Sequence, residues 1–109
     1  MVESGIVLYN IEADGCLNGV YTNEWSDGEI FNEIARMKLP NVNNAIVGIY
    51  DCVYFDQKNV RENADLRISL IKGKNKTFEF VWEIKGKIVF EGIGYLMNEK
   101  QLSVQYWEK

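Results

Sequence analysis

The chain contains no histidine and one proline, has only two cysteines, and never runs through the roughly 20 consecutive apolar residues that a membrane helix requires. Each absence removes a class of function. Without histidine the commonest general base is missing, and with it the Ser-His and Cys-His nucleophile pairs and most catalytic zinc sites. Cys16 and Cys52 are too few for a disulfide framework, and standing far apart without a second pair they lack the usual thiolate zinc spacing. Both lie in apolar runs and read as small buried side chains. Gly73-Lys74 and Gly86-Lys87 lack the upstream glycine and the following helix of a phosphate-binding loop. Positive charge is scarce as well: a net charge of -4 and a pI near 4.8 argue against nucleic acid or an anionic membrane as partner. Met1 to Asn10 shows no basic region followed by an apolar block, so a cytoplasmic location is expected. The one enzymatic arrangement left is a carboxylate pair among Glu79, Glu83 and Glu91, and charged residues on a strand face are ordinarily solvated. The expectation is therefore a protein that is not an enzyme and needs no cofactor or metal.

What is present is alternation. A chain of 109 residues is expected to form a single domain spanning 1–109, and its aromatic content of 13% favours strands over helices. In Thr77 to Lys85, Phe78, Phe80, Trp82 and Ile84 alternate with Glu79, Val81, Glu83 and Lys85, the period of a half-buried strand. Lys85-Gly86-Lys87 turns the chain into Ile88 to Tyr95, and Asn98-Glu99-Lys100 turns it again into Leu102 to Trp107. The same grammar runs backward through Asp65 to Ile71, where Arg67 is placed to form a cross-strand ion pair with Glu83 or Glu91. Ile46 to Phe55 is apolar on both faces. Gly5 to Ile11 and Cys16 to Thr22 flank Ala13-Asp14-Gly15, a strong hairpin signal.

Ser26 to Leu39 supports two readings. As a helix, Ser26 and Glu29 form a capping box, Ile30, Ile34 and Met37 share a face, and Pro40 stops the helix, giving seven strands plus one helix at 27–38. As a strand, Asp27-Gly28 is a second hairpin turn, although Ile30, Asn32 and Ile34 alternate poorly with Phe31, Glu33 and Ala35. Consistency with the other junctions favours the strand. The fold class expected is then all-β: an eight-stranded antiparallel up-and-down meander, closed or nearly closed into a barrel that removes its sheet edges. Turns at 13–15, 39–45, 72–76 and 98–100 fall at one end, and those at 26–28, 56–63 and 85–87 at the other.

Gly19-Val20-Tyr21, Gly48-Ile49-Tyr50 and Gly92-Ile93-Gly94-Tyr95 repeat a glycine followed closely by an aromatic residue, and with the terminal run Leu102 to Trp107 the pattern resembles the calycin-type small barrels, the lipocalin and avidin-like group, most of all its small bacterial members. No diagnostic lipocalin or biotin-binding signature is present. The resemblance implies an apolar ligand held in the barrel mouth.

Two functions from different classes follow. One is a non-catalytic carrier or sensor of a small apolar ligand bound between Trp25, Tyr50, Tyr54, Trp82 and Phe90. The other is a protein–protein interaction or dimerisation module, possible as a homodimer through Val47, Ile49, Val53 and Phe55 on the outer face of the doubly apolar strand.

Overall fold

The computed structural model describes residues 4–23, 30–41, 44–55, 58 and 60–109. These form eight antiparallel strands: β1 (Ser4–Ile11), β2 (Leu17–Asn23), β3 (Phe31–Asn41), β4 (Asn44–Phe55), β5 (Arg61–Leu70), β6 (Thr77–Ile84), β7 (Lys87–Asn98) and β8 (Gln101–Glu108). Each pairs with its neighbour in sequence, and β8 returns to β1 through Gly5↔Tyr106, Val7↔Val104 and Tyr9↔Leu102, closing an up-and-down barrel. Closure leaves no strand edge to be covered. Phe31 to Lys38 lie in β3, which settles the Ser26 to Leu39 ambiguity for those residues in favour of the strand; 27–29 and the Asp27-Gly28 turn lie outside the described residues.

Short reversals are built by turn chemistry. Lys85 (φ 52) and Gly86 (φ 80) are both left-handed, as a two-residue turn of the mirror-image type requires, and Ile84 pairs directly with Lys87 across them. Asp14 Oδ1 accepts from the Cys16 amide at 3.0 Å, and Asn98 Oδ1 accepts from the Lys100 amide at 2.8 Å.

The inward residues alternate with outward ones along every strand, and the core runs through Tyr9, Tyr50, Leu66, Phe78, Phe80 and Leu102, all essentially inaccessible. β7 faces this core with glycine. A Cβ at Gly94 would lie 2.7 Å from both Phe80 Cε1 and Val104 Cγ2, so the missing side chain is the space that the β6 aromatic ring occupies. The glycine-aromatic repeats thus have a packing cause.

Two differences from the sequence reading concern extent. β5 begins at Arg61 rather than Asp65, because Arg61, Glu62 and Asn63 pair with Phe55, Tyr54 and Val53 while carrying polar side chains that hide the alternation. Leu70, which continues the Leu66 and Ile68 alternation of the Asp65 to Ile71 segment, is 37% exposed and lies at the last pair of the strand. Arg67 Nη1 does reach Glu83 Oε1, at 3.8 Å, on the outer surface. Cys52 is buried, whereas Cys16 is partly exposed, and both thiols are free.

Candidate functional site

The ends of the barrel differ. At the end carrying the β2–β3, β4–β5 and β6–β7 connections, the inward side chains are aromatic and several stay partly open. Tyr21 stands 5.5 Å (ring centroids) from Phe31 and 6.3 Å from both Tyr54 and Tyr106, and Tyr106 stands 6.1 Å from Trp82 and 5.6 Å from Phe90. The edge-to-face geometry of most of these pairs is the preferred one for rings with opposed quadrupoles. Phe31, Tyr54 and Phe90 are half-buried. The polar tips are held in place: Tyr21 donates to the carbonyl of Phe55, and Asn23 Nδ2 donates to the Tyr106 hydroxyl at 3.5 Å.

Beneath the rings lies a carboxylate. Glu33 sits on the inward face of β3, opposite Gly19 of β2 and Tyr54 of β4. Tyr9 of β1 donates its hydroxyl to Glu33 Oε2, Trp82 Nε1 of β6 approaches the same oxygen at 3.4 Å, and the Cys52 thiol of β4 lies close enough to interact with the carboxyl. Burial pushes the Glu33 carboxyl above its usual range, and the Tyr9, Cys52 and Trp82 side chains pull partly back by favouring the charged form. Burial, then the adjacent Glu33 charge, drives the Tyr9 phenol and the Cys52 thiol upward, so both stay protonated donors. Residual exposure declines toward the floor: Asn23 9%, Tyr21 7%, Glu33 and Tyr106 5%, Trp82 3%, and then zero at Tyr9, Phe80 and Leu66. Aromatic rings thus form the walls of this end of the interior, the cup, over one acidic group.

Of the ligand-binding residues expected from sequence, Tyr54, Trp82 and Phe90 meet at this cup. Tyr50 does not join them; it lies in the packed half of the barrel, and its hydroxyl donates to the Ile46 carbonyl at 2.6 Å. Trp25 lies outside the described residues. Trp107, adjacent in sequence to inward Tyr106, is on the outer surface, in a groove with Ile6, Ile93 and Tyr95. Sequence reasoning missed Tyr21, Phe31 and Tyr106 among the rings, and Tyr9 and Glu33 beneath them. The strand reading of β3 contained the signal for Glu33, because it put that carboxylate on the face shared by Phe31 and Ala35.

Of the expected interface residues, Ile49, Val53 and Phe55 alternate with inward Tyr50, Cys52 and Tyr54 on β4 and Phe55 is the most exposed, whereas Val47 packs against the core. Charges interrupt them: Asp51 lies between Ile49 and Val53, Arg67 pairs with Ile49, and Lys38 bridges Asp51 at 3.6 Å and Asp65 at 3.0 Å. Glu83 and Glu91, two members of the considered carboxylate group, are engaged outside the barrel with Arg67 and with Lys109 at 3.3 Å. Among the described residues no group of three or more His, Cys, Asp or Glu side chains is placed to hold a metal ion.

The fold and the cup define a closed eight-stranded antiparallel β-barrel whose interior is aromatic at one end. No family model, curated protein or solved structure matches the chain, so the chemistry of the site rests on its own geometry.

Proposed function

We propose that the protein is a non-catalytic binding barrel, a carrier or sensor that holds a small, largely apolar ligand in the aromatic cup. The observation that carries this reading is the aromatic cluster at one end of the interior, where Tyr21, Phe31, Tyr54, Trp82, Phe90 and Tyr106 gather and Phe31, Tyr54 and Phe90 are left half-buried. Aromatic side chains are costly to leave partly wet in a domain that could pack them, and a mostly apolar concavity with a few fixed polar groups is the usual form of a small-molecule site. Native mass spectrometry of the purified chain tests it. The expected result is a retained mass of small-molecule size that is lost in Phe31→Ala; a bare chain in which 1-octanol also fails to perturb Tyr54 and Phe90 resonances refutes it.

A dimerisation module is the second reading, and one feature favours it. The groove across β2, β1, β8 and β7 exposes Ile6, Ile93 and Tyr95 beside Trp107, and none of the residues lining it is charged. A chain of net charge -4 meets its own copy with least repulsion through an uncharged face. The same mass spectrum reports the dimer.

A further inference from the structure

We propose that the cup is selective for an organic cation, an ammonium group on an apolar body, with Glu33 as its counter-ion; this rests on the binding-barrel reading above and names the ligand class. Three observations converge on it. An ionised carboxylate offers about four acceptor sites, and two donors, from Tyr9 and Trp82, both on Oε2, are in place, leaving capacity for more. Among the described residues no cation pairs with it: all 12 Lys and Arg side chains are exposed, and no ion pair involves Glu33. A buried charge is costly unless paired, so burial alone favours the neutral carboxyl, and a cation entering from outside the chain is what would favour the ionised form. The walls above Glu33 are Tyr21, Phe31, Tyr54, Trp82, Phe90 and Tyr106, and the negative faces of aromatic rings attract an ammonium group most strongly where water is excluded.

The hydrogen bonds to Glu33 also tie β1, β4 and β6 to β3, a structural service that an amide could perform. Charge is what separates the two roles. The test is a charge series on one hydrocarbon tail: octyltrimethylammonium, 1-octanol and octanoate, titrated into the full chain by calorimetry, with chemical-shift perturbation at Tyr54, Phe90 and the Trp82 indole reporting the location. The expected result is that the cation binds at least about tenfold more tightly than 1-octanol, that octanoate is weaker still, and that Glu33→Gln brings the cation down to the affinity of 1-octanol. Equal binding of cation and alcohol, or preference for octanoate, overturns the cation inference and leaves the cup intact. If none of the three perturbs the cup, the binding-barrel reading falls and this inference falls with it. Should Glu33→Gln fail to fold, the wild-type chain decides by pH. The side chains facing Glu33 are Tyr9, Cys52 and Trp82, none of which titrates in acid, so protonating Glu33 is to abolish the cation's advantage while binding of 1-octanol persists. An advantage that survives acidification overturns the proposal.

Discussion

Replacing Tyr9 by Phe removes one hydroxyl from the centre of the barrel and leaves the rest of the contact in place. The ring stays stacked on Phe80, with centroids 6.2 Å apart and planes at 6°, and keeps the space that Gly19 provides, where a Cβ would come within 2.8 Å of Tyr9 Cδ1. What is lost is the donor to Glu33. Hydrogen bonds to charged groups contribute about 1.5–3 kcal/mol, and a carboxylate that is nearly buried cannot recover the bond from bulk water. A loss of about 2 kcal/mol is large against a domain stability on the order of 5–15 kcal/mol. With a urea dependence of about 1–3 kcal/mol/M, it lowers the unfolding midpoint by roughly 1 M. Urea unfolding followed by tryptophan fluorescence measures it for Tyr9→Phe, Glu33→Leu and the double variant. Because Leu carries no acceptor, both single changes remove one bond, and the double variant is to cost less than their sum by at least about 1 kcal/mol. A midpoint shift below about 0.3 M, or strictly additive costs, refutes the reasoning.

Three further outcomes are expected. Burial raises the folded-state pKa of Glu33, so its contribution to stability is complete below the ordinary glutamate range and is lost as pH rises through the raised value; Glu33→Gln is to flatten the fall in unfolding free energy as pH rises above the ordinary glutamate range, and an unchanged slope contradicts this. Burial also pushes the Tyr50 phenol up to about 12 from 10.0, so stability drops as pH rises between those values, and in Tyr50→Phe the alkaline unfolding transition is to become shallower by circular dichroism. Gly94→Ala forces a methyl against Phe80 and Val104 and is to cost about 1–3 kcal/mol by thermal or urea unfolding; a neutral substitution removes the packing account of the β7 glycines.

The barrel was legible because its strands are half-buried and so keep a period of two. β6 shows this most clearly, with Phe78, Phe80 and Trp82 inward and Glu79 and Glu83 outward. Where both faces are polar, as at Arg61 to Asn63, pairing with β4 sets the strand and no alternation announces it. The strand β3 obscures its own pattern by carrying a charge inward and a half-exposed Ile34 outward, and the charge is the residue at the floor of the cup. A glutamate between Asn32 and Ile34 reads from sequence as solvated, since its partners, Tyr9, Cys52 and Trp82, come from three other strands. Tyr54, Trp82 and Phe90 were recognisable as aromatic and inward. Tyr50 has the same credentials, and only its position along the axis separates it from them.

The most direct measurement of the central claim is a chemical-shift map of the full chain titrated with 1-octanol. The account predicts perturbations concentrated at Tyr21, Phe31, Tyr54, Phe90 and Tyr106, with Ile46 and Leu96 at the other end unmoved. Perturbations confined to the outer groove at Ile6, Ile93, Tyr95 and Trp107 would contradict it.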